Sequence, residues 1–322
     1  MRMRSRREAG FTLVELMASV VIFSIAMTAV FATYSFQKKS FEVQSQVAAM
    51  QQNQREGMEV LSRDLRLAGY GIPAPVTIPN NLIGTGVTTI RSLYPVDNTA
   101  GPDSIYILYL YDMDANQPPT TISSPMPDSS AEFNVDSVAG FWDGDLCIIT
   151  NGSAADMFQV TQVQGGALKL QHNPGGAARD YNEPGGHNTF PPGGYGSGST
   201  LSKVRFLRYY IDSTTDPTRP TLMVDRMASA APQPVGDSIE DMQLQYRLDT
   251  DGDGVADAWS DNPGNPGQIR QVRILLIART KFPEKGWTEV RPALGNHAAG
   301  TGTDGYRRRV LELTVDVRNS GV

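Results

Sequence analysis

From Phe11 to Phe36 the chain runs for twenty-six residues with a single charge, Glu15. At about 1.5 Å of rise per residue this run makes a helix of about 39 Å, enough to cross the roughly 30 Å hydrocarbon core of a bilayer with some tilt. By length and polarity the segment is a membrane span. Ahead of it stand Arg2, Arg4, Arg6 and Arg7 against one acid, Glu8, and short basic flanks are held on the cytoplasmic side. The C-terminal bulk is then carried outward.

Two ordinary segments share this outline and fit it less well. A secretory signal peptide has an apolar core of about 7–15 residues with a small-residue cleavage site after it. Here the run is about twice that length, and its small residue, Gly10, comes first. A plain signal anchor has no use for Glu15, because an unpaired carboxylate in lipid costs on the order of several kcal/mol unless it finds a partner or water.

The stretch Gly10-Phe11-Thr12-Leu13-Val14-Glu15-Leu16 resembles the processing site of type IV prepilins. The resemblance implies that a membrane enzyme, the prepilin peptidase, cuts between Gly10 and Phe11 and methylates the new N-terminus at Phe11, so that residues 1–10 are a leader. It also implies storage in the bacterial inner membrane as a single-pass protein, with a cytoplasmic N-terminus and a periplasmic head, followed by assembly into a filament. In an apolar filament core, the free amine of Phe11 and the carboxylate of Glu15, offered by neighbouring subunits, would neutralise one another, whereas either charge alone is costly.

Past Phe36 the chain turns polar without losing helical character. Residues 37–71 contain no proline and are rich in Gln, Glu, Arg, Met, Leu and Ala, so an amphipathic continuation of the same helix is expected. Val47, Met50, Met58, Leu61, Leu65 and Ala68 draw one apolar stripe, interrupted where Gln54 sits. Glu59 and Arg63 are spaced to pair on the exposed side. Gly57 is a weak point, costing about 1 kcal/mol against alanine, and Gly69, Gly71 and Pro73 stop the helix. Running from Phe11 to Ala68, it would be about 87 Å long, with its first half in lipid and its second half packed on a head.

From residue 72 to 322 the pattern becomes short apolar or alternating runs between turns, consistent with 31 Gly and 21 Pro. Strands are expected at 105–111, 146–150, 157–163, 168–171, 204–211, 222–225, 239–247, 271–280 and 309–317, with a hairpin across Gly165-Gly166. The fold class is α+β: a long N-terminal helix on an antiparallel, meander-like sheet. Residues 173–200 form a long Gly/Pro-rich loop with Tyr181, Phe190 and Tyr195, read either as a partner surface or as an idle insertion. Residues 118–130 are a shorter loop of the same kind.

Several head segments extend the resemblance to the PilW family of minor pilins. They are Arg63-Asp64-Leu65-Arg66-Leu67-Ala68-Gly69-Tyr70, Gly144-Asp145, Ala155-Asp156-Met157-Phe158-Gln159-Val160-Thr161, Ile239-Glu240-Asp241-Met242-Gln243-Leu244-Gln245-Tyr246 and Tyr306-Arg307-Arg308-Arg309-Val310. Members of that family often carry paired cysteines in the head. This chain has only Cys147 and cannot form an intrachain disulfide, so Cys147 is read as a small buried hydrophobe and the head must hold by its core or by ions.

Charge narrows the partners. The net charge is −6, and removing a leader with four Arg and one Glu leaves −9, which disfavours nucleic acid. The basic cluster Arg307-Arg308-Arg309 is read as a solvated strand edge, with its two outer arginines on one face.

The sharpest chemistry in the head is Asp249-Thr250-Asp251-Gly252-Asp253-Gly254-Val255-Ala256-Asp257. Acids at the first, third, fifth and ninth places, a glycine at the sixth and the Val255 carbonyl at the seventh match the start of an EF-hand-like Ca²⁺ loop. The twelfth place holds Ser260 in place of Glu, with Asp261 next to it as a substitute ligand. A structural Ca²⁺ in the loop 249–261 is the expectation, against a solvated acidic turn. A shorter acidic stretch, Asp112 to Asn116, is read as solvated.

His172, His187 and His297 lack metal-ligand spacing and are read as surface residues. No Ser elbow, phosphate loop or paired-Cys motif points to catalysis. The function expected is a minor pilin that initiates or caps a type IV pilus beside other minor pilins, the major pilin and a tip protein. A calcium-dependent tip adhesin, with 173–200 as its contact surface, and a type II secretion pseudopilin are the alternatives.

Overall fold

A computed structural model describes residues 10–73, 75–79, 82–84, 86–111, 119–127, 132–175, 181–182, 190–228 and 231–319. The chain divides into two compact units, residues 1–49 and residues 50–322. One helix, α1 (Leu13–Leu67), supplies the regular structure of the first unit and continues into the second.

In the first unit α1 presents its apolar side chains outward, among them Leu13, Phe23, Phe31 and Phe36, as does Phe11 ahead of it. Its hydroxyls are satisfied internally: Ser19, Ser24, Thr28 and Thr33 each donate to the carbonyl four residues back, at 2.7–3.0 Å. A segment with no water around it needs this, since an unbonded hydroxyl there is costly. Polar pairing begins with Lys38 and Glu42, 3.9 Å apart on successive turns.

In the second unit α1 buries Met50, Met58, Leu61 and Leu65, with Ala68 just beyond its end. The expected gap at Gln54 is filled by Gln54 itself. It is buried, and its Nε2 donates to the carbonyls of Leu276 (2.9 Å) and Arg309 (3.0 Å) on adjacent strands. Gly57 is a point of close approach more than a weak link, because a Cβ there would lie 3.1 Å from Leu222 Cδ2. The Glu59–Arg63 pairing is replaced by Arg63 Nε against Asp64 Oδ1 at 3.3 Å. The helix ends as expected, with Gly69 and Gly71 at positive φ.

Among the described residues the head contains four sheets in place of one meander. The largest, of ten strands, is built around Thr200–Asp212, which pairs with Leu146–Thr150, Ser104–Leu110, Thr120–Thr121 and Thr221–Asp225. Thirteen residues are long enough to take two neighbours along each edge, and this breaks up-and-down order. One pairing is parallel, Thr77 with Asp156. A four-stranded antiparallel sheet runs in the order Ala258–Ser260, Ile239–Leu248, Ile269–Arg279, Arg308–Asp316. The expected strand 157–163 is split into Ala155–Gln159 and Gln162–Gln164, and the hairpin forms between the latter and Lys169–Gln171.

The Gly/Pro-rich segment within 173–200 is anchored to the core where it is described. Phe190 and Tyr195 are buried, and the Tyr195 hydroxyl donates to Asp156. Asn182 exchanges two bonds with the Gln159 backbone, at 2.8 and 2.9 Å. In 118–130, Ile122 and Met126 are likewise buried, beside the strand Thr120–Thr121. Aromatic anchors spaced without period fold these loops inward. The stretch from Asp112 to Asn116 and His187 lie outside the described residues.

Candidate functional site

The N-terminal site starts at Gly10, where an added Cβ would meet nothing within 4 Å. Phe11 follows, exposed. Thr12 caps α1: its hydroxyl accepts from the Glu15 amide (3.3 Å), while Glu15 Oε2 accepts from the Thr12 amide (2.9 Å) and hydroxyl (2.8 Å). This is a reciprocal capping box. The Thr-x-x-Glu spacing was legible in the sequence, yet only an intermolecular role was read for Glu15. Glu15 therefore also starts its own helix.

In the acidic loop, the structure brings Asp249, Asp251 and Asp257 together, with one carboxylate oxygen from each within 4.8 Å of the others. It does not bring in the other two expected carboxylates, Asp253 and Asp261. Asp253 accepts from the Val255 amide (2.7 Å), and Asp261 accepts from Gln245 Nε2 (2.9 Å). Asp249 is buried and accepts from the Gly252 and Gly254 amides at 2.7 and 3.1 Å. Arg270, which sequence spacing did not point to, sets both Nε and Nη2 on Asp249 Oδ2, at 3.2 and 2.8 Å. Burial pushes the Asp249 carboxyl up, but the Gly252 amide, Arg270 and the Gly254 amide outweigh it and hold the group below its ordinary range. The Thr250 amide and hydroxyl likewise hold Asp257 down. The donors are hard oxygens suited to Ca²⁺, and one of them already has a cationic partner.

Residues 208–319 match the family model described as Type IV Pilus-assembly protein W. Residues 5–31 match the Prokaryotic N-terminal methylation motif. The chain therefore carries a prepilin-type methylation motif at its N-terminus and a PilW-type region in its C-terminal part. Among solved structures it is similar to the type IV-like pilin TTHA1219 from Thermus thermophilus, at 11% identity over 84% of this chain and 98% of that one, with a TM-score of 0.38. That likeness is too loose to bear on details. No curated protein matches the chain.

The matched PilW region holds charged groups that sequence reasoning placed at the surface. Arg308 is buried and forks onto two acids, Glu240 (2.6 and 3.0 Å) and Asp304 (2.7 and 2.5 Å). Burial works against its charge, but Asp304 and Glu240 raise its pKa well above the ordinary value. The solvated-edge reading therefore fails at the middle arginine, which strand alternation sends inward when its neighbours point out. His297 is part of a half-buried network around Asp241. Its Nδ1 lies 2.8 Å from Asp241 Oδ2, while Arg291 donates to Asp241 (2.9 Å) and to His297 Nε2 (3.0 Å). An arginine can only donate, so Nε2 accepts and Nδ1 carries the hydrogen.

Outside the matched region, His172 is fully buried against Phe133, Phe158 and Phe190, at centroid distances of 4.5, 5.7 and 5.6 Å. The flanking Gly and Asn that suggested a surface loop concealed it. Cys147 is buried as expected, and burial pushes its thiol well up. Asp64, on α1, is buried and accepts from the hydroxyls of Tyr109 (3.3 Å) and Tyr209 (2.5 Å).

Proposed function

We propose that a prepilin peptidase cuts this minor pilin between Gly10 and Phe11 and methylates Phe11, and that the mature chain initiates or caps a type IV pilus. The observation that carries the reading is the pairing of the methylation motif at residues 5–31 with the PilW region at 208–319. Among the described residues nothing lies within 4 Å of a Cβ at Gly10, which leaves the position open to an enzyme. Before assembly, the chain waits in the inner membrane with its N-terminus cytoplasmic and its head periplasmic. Its partners are then other minor pilins, the major pilin and a tip protein, and its work is association. Gly10→Leu should leave an uncut precursor; mature-sized protein from that variant ends the processing claim.

In the filament Glu15 neutralises the Phe11 amine of a neighbour, using the carboxylate oxygen that Thr12 does not occupy. The loop acids Asp249, Asp251 and Asp257 hold a structural Ca²⁺, with Arg270 as the standing competitor. Calorimetry of the head should show Ca²⁺ uptake that Asp251→Ala with Asp257→Ala removes, and no uptake by the unmutated head closes the question. The adhesin reading draws little from residues 173–200, since Phe190 and Tyr195 there are spent on the core. The PilW match favours a pilus over a secretion pseudopilus.

A further inference from the structure

Residues 279–309 hold seven Lys and Arg against three Asp and Glu, in a chain of net charge −6. Part of this charge is used inside the head, where Arg308 lies between Glu240 and Asp304 and Arg279 reaches Glu240. Lys281 and Lys285 are exposed, in the turns that follow the strand Ile269–Arg279.

Beside them are aromatic side chains that the core does not take. Phe282 is 58% exposed and Trp287 36%. Lys281 Nζ lies 5.4 Å from the centre of the Phe282 ring, and the Arg307 guanidinium lies 3.8 Å from that of Trp287. Trp287 Nε1 donates to Glu289 Oε2 at 3.1 Å, which fixes the indole. Val290, nearby in the chain, is exposed as well. Apolar side chains gathered in water cost hydrophobic free energy, and such a group marks a surface that something covers. Trp and Phe among Lys and Arg are the residues of a bilayer's interfacial zone, where rings sit at headgroup level and cations meet anionic lipid.

Position within the second unit agrees. There α1 and the strand Arg308–Asp316 run in the same direction: Gln54 meets the Arg309 carbonyl, and fifteen residues on, Gly69 abuts the Asn319 carbonyl. Arg307 lies just ahead of that strand and bonds Thr280 and Glu284, so the 281–287 segment lies toward the end of the unit where the chain enters, at Met50. From Phe36 to Met50, α1 advances about 21 Å. Along the chain, this end follows the expected span by fourteen residues, from Phe36 to Met50.

We propose that the 281–287 segment, through Lys281, Phe282, Lys285 and Trp287, contacts anionic lipid headgroups while the pilin is stored in the membrane, and releases them on entry into the filament. The proposal rests on residues 11–36 being the span.

The test uses the full chain, reconstituted into vesicles with bromine on the upper acyl carbons, and with Trp142 and Trp259 replaced by Phe so that Trp287 is the sole indole emitter. In vesicles containing phosphatidylglycerol, Trp287 emission should be quenched. The charge reversals Lys281→Glu and Lys285→Glu together should abolish the quenching, the neutral Lys281→Gln and Lys285→Gln should reduce it, and a companion chain keeping only Trp142 should escape it. Unquenched Trp287 overturns the proposal. So does quenching that is equal in phosphatidylcholine alone or that survives charge reversal; the lipid contact is then apolar and owes nothing to anionic headgroups. Failure of the span reading looks different, because alkaline carbonate would strip the whole chain from the vesicles.

Discussion

Glu15 and Asp64 are carboxylates on one helix, and the structure treats them in opposite ways. Glu15 is exposed in the first unit and bonds to Thr12, three residues away. Asp64 is buried in the second and bonds tyrosines 45 and 145 residues away. The first acid is compensated locally, which leaves capacity for another subunit, whereas the fold fully employs the second. Burying an acid is tolerable only where partners are guaranteed. For Asp64 this chain guarantees them with Tyr109 and Tyr209; for Glu15 it supplies Thr12, and the partner proposed beyond that is a neighbour's amine.

Replacing each acid separates the roles. Glu15→Ala should leave cleavage and head stability unchanged while surface pili, counted by electron microscopy, fall to near zero; normal pilus numbers would remove Glu15 from assembly. Asp64→Ala should cost the head roughly 2–5 kcal/mol, because two buried hydroxyls lose a charged acceptor. Urea unfolding of a fragment beginning near Gln37 measures this, and a loss below about 1 kcal/mol would put Asp64 with ordinary surface positions.

The smallest effect concerns a third acid, Asp103, which is buried. Among the described residues it accepts from the Asn98 and Leu244 amides, each at 2.8 Å. Burial raises its pKa to about 7, against those two amides, and Asp97 and Asp241 add to the rise. The folded state thus keeps a proton that the unfolded chain releases near pH 4. Between about pH 4 and 7 the native state binds more protons, so stability should fall as pH rises. Asp103→Asn should flatten that slope in urea midpoints measured across the window; an unchanged slope would assign it to other groups.

The helix, its stop and most strand positions were legible because periodicity and turn residues are local signals. The strands Leu146–Thr150 and Ile239–Leu248 lie within a residue of expectation for that reason. The sheet order was not legible, because Thr200–Asp212 draws neighbours from distant parts of the chain. For the sites, Gly10, Phe11 and Glu15 form a contiguous motif, and the acids of the 249–257 loop are spaced in sequence. Arg270 on Asp249, the tyrosines on Asp64 and the enclosure of His172 depend on contacts between segments, which composition around each residue does not reveal.

Gln54 has a mechanical consequence. In the proposed assembly, tension on the filament would reach the head through α1. One side-chain amide holds carbonyls on two strands, and one of these strands, Ile269–Arg279, is flanked on both sides in its sheet. The load enters at an interior strand as well as at the edge, and it is shared with the packing of Leu61 and Leu65 and with the tyrosine bonds of Asp64. Contacts loaded side by side in shear yield together, whereas contacts peeled from an edge fail one after another. The grip of the head on its helix is therefore set by the whole row.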